Sequence, residues 1–270
     1  MQRKKITVYT GPSVSTGALI PRLRESFRGA AIHQTRAGDI DKPDTLDSDT
    51  LAFFLPGIVG EDSPYNRDPG QKGNEAIRRY VEDGGVFVGI CAGAYYSCRE
   101  IVYNPPWRRE PKTGKPGLDF FNALAKGPLP GLGMRNGAEW FSGCRVASLS
   151  YKDKTKQVGV AYGNGPAMFP FDAESGIEII ARYEDMPDRP IAIAIKKIGK
   201  GLAIFMGALP YIGYDAQYDA TKIAPLKRLM EELKPHEKGR AELWDAIVSL
   251  VKQHSADLGR VTLRPKEPIL

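Results

Sequence analysis

The stretch Gly84-Gly85-Val86-Phe87-Val88-Gly89-Ile90-Cys91-Ala92-Gly93-Ala94-Tyr95-Tyr96 decides how the rest of the chain is read. Val86–Ile90 is an apolar run of strand length, and the small residues after it permit a sharp turn from strand into helix. Gly89-Ile90-Cys91-Ala92-Gly93 has the form Gly-x-Cys-x-Gly, the cysteine counterpart of the Gly-x-Ser-x-Gly nucleophile turn of hydrolases. Such a turn lifts the sulfur above the sheet edge and points the N-terminus of the new helix at it. That arrangement favours thiolate and lowers the thiol pKa. An inert buried thiol at a tight strand–helix junction has the same pattern, so two roles stand open for Cys91.

Working outward, Leu51-Ala52-Phe53-Phe54-Leu55 is a continuous apolar run, as expected of a parallel strand covered on both faces. It ends in Pro56-Gly57-Ile58-Val59-Gly60. In an open α/β sheet, ligands bind beyond the C-terminal ends of the strands. This loop is therefore expected beside Cys91, with N–H groups near Gly57 and Ile58 joining that of Ala92 in an oxyanion hole; a plain strand-to-loop turn is the alternative. Residues 6–10 read as the first strand. Leu19, Leu23 and Phe27 form a helical stripe, which Pro21 interrupts. Residues 30–34 read as a second strand, with a structural His33. Ala76, Ile77, Tyr80 and Val81 have helix spacing, and Gly84 closes that helix.

After Cys91, residues 104–117 read as a loop and 118–124 as a short helix. Short β-like runs follow at 145–150, 158–162, 177–183, 191–197 and 202–206, the last two joined as a hairpin by Gly199-Lys200-Gly201. Gly163-Asn164-Gly165-Pro166 is expected to reach across a site. Leu226, Leu229, Met230 and Leu233 mark one amphipathic helix, and Leu243, Trp244, Ile247, Val248 and Val251 a second, both read as packing helices. The expected fold is α/β: an open, mainly parallel sheet flanked by helices, with added β-strands and a helical C-terminus. Residues 1–220 are read as the α/β domain, and 221–270 as helices packed on that domain.

Composition narrows the function classes. The chain has 42% hydrophobic and 26% charged residues and a net charge of +6, ordinary for a soluble globular protein. The densest basic cluster, Arg108, Arg109, Lys112 and Lys115, reads as a solvated loop, with an anionic ligand as the alternative. No nucleic-acid-binding signature accompanies it, so no nucleic acid is expected as partner. No apolar stretch has the roughly 18 residues of a membrane span, so no membrane association is expected. Met1-Gln2-Arg3-Lys4-Lys5 leads into a strand and not into a signal-peptide core. The three cysteines, Cys91, Cys98 and Cys144, suggest no disulfide framework. If Cys91 and Cys98 share one helix, a rise of about 1.5 Å per residue separates them by roughly 10 Å, too far for a disulfide. A reducing, cytoplasmic setting is expected. The three histidines are far apart in sequence, and there is no Cys-x-x-Cys pair, Walker loop or dinucleotide fingerprint. No metal and no cofactor are expected.

The chain resembles the class I glutamine amidotransferase family. Leu55-Pro56-Gly57 paired with Gly89-Ile90-Cys91-Ala92-Gly93 carries the resemblance. Within that family it is most similar to the amidotransferase-like domain at the N-terminus of biotin-protein ligases, which also occurs as a stand-alone bacterial protein. Val8-Tyr9-Thr10-Gly11-Pro12, Tyr65, Cys91-Ala92-Gly93-Ala94-Tyr95-Tyr96, Gly127-Pro128 and Tyr162-Gly163-Asn164-Gly165-Pro166 support that branch. The resemblance runs from about residue 6 to about residue 211. It implies a flavodoxin-like sheet and, for the amidotransferases, a Cys-His-Glu triad whose His and Glu follow the last core strand. Here the corresponding segment is Gly207-Ala208-Leu209-Pro210-Tyr211. Leu209 stands where the histidine is expected and Tyr211 where the glutamate is expected. General-base help is worth about 10²–10⁴-fold, so efficient glutaminase chemistry is not expected. The Gly-Arg-Gly-Arg-type biotin loop of the ligase catalytic domain is absent, so biotin ligation is not expected either.

Three functions compete. In the first, the chain binds a small molecule of unknown identity, or a partner, at a pocket with Cys91 at its floor and Tyr65, Tyr95, Tyr96, Asn164 and Tyr214 around it. Ordinary core packing is the alternative for each tyrosine. In the second, Cys91 is the nucleophile of a hydrolase or transferase acting on a small amide or ester. Gly57 and Ala92 N–H groups would hold the oxyanion, and Glu61 or Asp62 would replace the missing base; His236 and His254 would have to be brought back from the helical C-terminus to serve. In the third, the chain is an interaction module acting through its C-terminal helices.

Overall fold

The computed structural model describes residues 4–11, 13–58, 63–66, 70–106, 108–132, 144–151, 156–173, 176–214 and 224–259, without the side chains of Asn66 and of 224–226. Pro12, residues 59–62 with the candidate bases Glu61 and Asp62, and the tail beyond residue 259 lie outside the described residues.

The centre of the molecule is a run of parallel strands. β1 (Lys5–Tyr9) lies between β2 (Ala31–Thr35) and β3 (Thr50–Leu55). β4 (Val86–Ile90) follows β3, and the late strand β13 (Gly201–Met206) lies beside β4. All four pairings, β2–β1, β1–β3, β3–β4 and β4–β13, are parallel. β3, β4 and β13 are buried at every position. Strands covered on both faces can be apolar throughout, which explains the unbroken runs in the sequence. The order reverses between β1 and β3, the crevice where open α/β sheets bind ligands.

Helices cover the faces. α1 (Leu19–Ser26) buries Leu19 and Leu23. It tolerates Pro21 because that residue lies in the first turn, where the missing N–H has no partner inside the helix. α2 (Gly70–Glu82) buries Gly73, Asn74, Ile77, Tyr80 and Val81, one face of a helix. It stops at Gly84, whose φ is +105°; Gly84 and Gly85 N–H groups bond back to Val81 and Tyr80 carbonyls at 2.9 and 2.8 Å.

α3 (Ala92–Ser97) is shorter than the sequence suggested. Cys98 is already extended and opens β5 (Cys98–Tyr103). Cys91 and Cys98 therefore do not share a helix; all three cysteines are free. The expected helix at 118–124 is instead β7 (Phe121–Gly127), parallel to β5. Its burial alternates, with Phe121, Ala123, Ala125 and Gly127 turned inward. This alternation is the two-residue period of a strand. The loop expected at 104–117 contains β6 (Lys112–Gly114), paired antiparallel with β5.

The sheet continues through β12 (Ile191–Ile198), β10 (Ala167–Pro170), β7, β5 and β6. β12 and β13 form the expected hairpin, turning at Gly199 with φ +57°. β11 (Ile177–Tyr183) leads from β12 to the ribbon of β8 (Arg145–Tyr151) and β9 (Lys156–Tyr162). Among the described residues these strands make one 13-stranded sheet. The C-terminal helices are α4 (Ala224–Leu233) and α5 (Glu237–Asp257). α5 buries Arg240, Leu243, Trp244, Ile247, Val248 and Val251 and packs over β3, β4 and β9. Trp244 Nε1 donates to Ser26 Oγ at 2.9 Å, tying α5 to α1.

Candidate functional site

Cys91 sits between β4 and α3 with φ 52° and ψ −104°, a left-handed backbone that a side chain rarely adopts. Its N–H bonds to the Met206 carbonyl at 2.8 Å, at the end of β13. Its carbonyl accepts from Tyr95 N–H at 3.0 Å. The turn closes only because its neighbours are small. A Cβ on Gly93 would stand 1.9 Å from the Leu55 carbonyl oxygen, and one on Gly89 would stand 2.7 Å from the Gly93 oxygen. Both obstructions are backbone. Gly93→Ala is expected to cost about 1–3 kcal/mol through overpacking, read as a lower urea midpoint; an unchanged midpoint would show that the turn has slack.

Gly57 borders the cysteine directly. A Cβ there would lie 3.2 Å from Cys91 Cβ and 3.6 Å from Sγ. Gly57 is held by its carbonyl, which accepts from Ser15 N–H at 2.9 Å, while Ile58 bridges to Val14. The loops after β1 and β3 thus interlock beside Cys91. Tyr65 fixes the second loop, its hydroxyl donating to the Pro56 carbonyl at 2.8 Å. Its ring meets Tyr9 and Tyr96 at centroid distances of 5.4 and 5.8 Å.

The two adjacent tyrosines point to different partners. Tyr95 donates to the Asn164 carbonyl at 3.1 Å, toward the loop between β9 and β10. Tyr96 donates to Asn74 Oδ1 on α2 at 3.0 Å. Asn164 is buried with φ 67°. Tyr214 is 44% exposed and engages the C-terminal helices: Lys234 Nζ lies 5.4 Å from its ring, and its N–H bonds to Glu237.

Cys91 is 7% exposed, and its thiol donates to the Gly163 carbonyl at 3.4 Å. Burial pushes it up to about 12, while the Ala92 N–H pulls the other way. The sequence suggested a lowered pKa from the helix N-terminus; desolvation outweighs it here, because α3 is short and the sulfur is covered. Burial likewise pushes the Tyr65 and Tyr95 hydroxyls well above their ordinary range.

Leu209 is buried, and its N–H bonds to the Ala161 carbonyl at 2.9 Å. Tyr211 is buried against Trp244, with centroids 6.1 Å apart. The histidines lie elsewhere. His254 Nε2 is 3.3 Å from the Gly84 carbonyl, at the opposite end of β4 from Cys91. His236 packs against Gly159 of β9, and His33 is in β2, across from Thr7. Among the described residues, no group of three or more His, Cys, Asp and Glu could hold a metal ion. Nor is any helix among them long and apolar enough to cross a membrane.

Residues missed in the sequence complete the surroundings. Tyr162 donates to the Gly165 carbonyl at 2.8 Å and accepts from Leu129 N–H at 2.7 Å. Tyr183 donates to the Pro166 carbonyl at 3.2 Å. Tyr162 adjoins the glycine-rich loop in sequence, a signal that was available. Tyr183 comes from β11 and had none.

This architecture is that of class I glutamine amidotransferase-like α/β proteins. A solved glutamine amidotransferase from Thermotoga maritima matches it with TM-score 0.56 and 12% identity, over 93% of this chain and 99% of that one. A glutamine amido transferase from Methylobacillus flagellatus matches with TM-score 0.54 and 11% identity, over 99% and 98%. At these identities the likeness is one of fold. The chain belongs to the biotin-protein ligase N-terminal family, whose model matches residues 4–263. It is 27% identical over 199 residues to an uncharacterized protein of Chlamydia muridarum, covering 74% of each. It is 25% identical over 166 residues to a biotin–protein ligase of Schizosaccharomyces pombe. That match covers 60% of this chain and 25% of the ligase, so the chain corresponds to a quarter of the enzyme.

Proposed function

We propose that this chain is a binding member of its family: an amidotransferase-like domain that keeps the cysteine elbow as a shape, takes a small molecule or partner there, and does not hydrolyse glutamine. The observation that carries this reading is the residue in the base position. Leu209 is buried and hydrogen-bonded through its backbone to Ala161, and it stands at the position that the sequence resemblance assigns to the amidotransferase histidine. A thiol pushed up to about 12 is almost wholly protonated at neutral pH, and thiolate is the nucleophilic form. Residues 1–220 act in this reading as the amidotransferase-like unit, with 221–270 packed on it. The Trp244–Ser26 bond and the Tyr211–Trp244 contact support that division.

The test is ammonia release from glutamine by the full chain. The expected result is the same rate for the chain and for Cys91→Ala. Release that vanishes in Cys91→Ala would sink the reading. A thermal-shift screen of small polar metabolites then looks for the ligand, and no stabiliser in a broad screen would count against a metabolite site.

A second reading, a cysteine hydrolase or transferase of a small amide or ester, draws on two contacts: Gly57 against Cys91 and the Ala92 N–H on the thiol. It needs a base, for which Glu61 and Asp62 are the candidates. The pH dependence of Cys91 alkylation separates the two. Reactivity rising only far above pH 9 supports the binding reading, and a thiol titrating near neutrality supports the hydrolase.

A further inference from the structure

The loop between β9 and β10 makes an unusual set of bonds. Four consecutive carbonyls, those of Gly163, Asn164, Gly165 and Pro166, each accept from a buried side chain. The donors are Cys91 Sγ at 3.4 Å, Tyr95 Oη at 3.1 Å, Tyr162 Oη at 2.8 Å and Tyr183 Oη at 3.2 Å. They come from the β4–α3 junction, α3, β9 and β11. The loop also lies against the end of β13, where a Cβ on Gly165 would stand 1.9 Å from the Gly207 oxygen. Asn164 holds φ 67° within it, a turn conformation that asparagine tolerates better than most side chains.

We infer that residues 163–166 are a latched cover over the site, and that Cys91 is one of the latches. The Gly163 carbonyl occupies the acceptor position in front of the thiol. A ligand that takes the thiol's hydrogen bond has to replace that carbonyl, so its binding and release of the strap at Gly163 are one event. The four bonds are arranged in series along the strap, so opening at Gly163 is resisted by the three tyrosines behind it. The ligand suited to this exchange presents a hydrogen-bond acceptor, such as an amide or ester carbonyl oxygen, to a protonated thiol. The strap and its latches stand on the geometry alone; the ligand class rests on the binding reading above.

Cys98 supplies an internal clock. It is fully buried at the start of β5 and has no part in the strap. Iodoacetamide labelling of the full chain under native conditions, followed by mass spectrometry, reads local opening as the rate at Cys91 relative to Cys98. Cys91 is expected to label well ahead of Cys98. Tyr183→Phe removes one latch without touching the thiol and is expected to raise the Cys91 rate about fivefold, the worth of one net hydrogen bond, with the Cys98 rate following only the change in global stability. Tyr95→Phe gives the same comparison should Tyr183→Phe fail to fold. Cys91 and Cys98 labelling in step, in the parent chain and in a folded variant, would mean that the thiol is exposed only by global unfolding and would overturn the strap. A failed metabolite screen would remove the ligand class and leave this labelling result as it stands.

Discussion

Replacing Arg240 with alanine is expected to lower the unfolding free energy by about 2–4 kcal/mol, at and below the range for breaking a buried ion pair from one side, because Glu237 is partly solvated. Arg240 is 1% exposed, although it carries a full charge. Its guanidinium bonds Glu237 through Nε and Nη2, and it donates through Nη1 to the Pro210 carbonyl. Glu237 also accepts from Tyr214 N–H at 2.9 Å. One side chain therefore fastens the segment after β13, which contains Leu209 and Tyr211, to the first turn of α5. Truncation strands the Pro210 carbonyl and leaves the Glu237 carboxylate, 28% exposed, without its ion-pair partner. Arg240→Lys keeps the charge but not the fork, so it is expected to recover only part of the loss. Urea unfolding followed by tryptophan fluorescence reads this, since Trp244 lies on the same helix. A midpoint shift worth less than about 1 kcal/mol would place Arg240 with the weak surface pairs.

The second large effect is alkaline destabilisation. Burial pushes the thiols of Cys91 and Cys144 up to about 12 and that of Cys98 higher still. The hydroxyls of Tyr65, Tyr95, Tyr162 and Tyr183 are also held well above their ordinary range by burial. These groups are raised in the folded state, so their contribution is complete below the unfolded value, near 9 for the thiols, and is lost as pH rises toward the folded one. Above pH 9 the unfolded chain binds fewer protons than the folded one, and stability falls by about 1.4 kcal/mol per pH unit for each such thiol. That slope is reached only about a pH unit above the unfolded value, so three thiols together give a fall of about 3 kcal/mol between roughly pH 9 and 10, steepening as the tyrosines join. That is a large part of a typical stability of about 5–15 kcal/mol. Thermal midpoints at pH 7, 9 and 10 check it, and Cys98→Ala should flatten the slope by about a third. A midpoint that holds from pH 7 to 10 would mean that the buried thiols do not need to be neutral.

These two predictions draw on different levels of legibility. The three cysteines were visible at once, but their burial was not. The elbow pattern suggested an activated thiol, because a helix N-terminus and small neighbours are local features. Desolvation is not local: the strap over Cys91 comes from 72 residues further along the chain. Arg240 gave no signal, since a single arginine in an amphipathic helix reads as surface. It is buried because the segment at Pro210 arrives against α5.

Most elements were legible where one physical rule dominated. The unbroken apolar runs of β3 and β4 announced parallel strands covered on both faces. Leu19 and Leu23, and the five apolar positions from Leu243 to Val251, announced helices by their spacing. The reading failed at 118–124, read as a short helix, where β5 recruited residues from Phe121 onward as a strand. Strand preference depends on the neighbour that pairs with it, and nothing near residue 121 revealed that β5 would be that neighbour.

By itself, the sequence determined the parallel core, the strand–turn–helix at Cys91 and a leucine, Leu209, in the segment directly after the last core strand. Each depends on contiguous residues: side chains buried on both faces, glycines where a Cβ would strike backbone, and the identity of Leu209. Only the tertiary structure decided what those residues do together. It placed Gly57 against the thiol, set Leu209 against Ala161, directed Tyr95 and Tyr96 to different partners, and brought Tyr162 and Tyr183 onto the strap. Hydrogen bonds and desolvation act over a few ångströms of space, and the fold alone makes residues distant in sequence into neighbours.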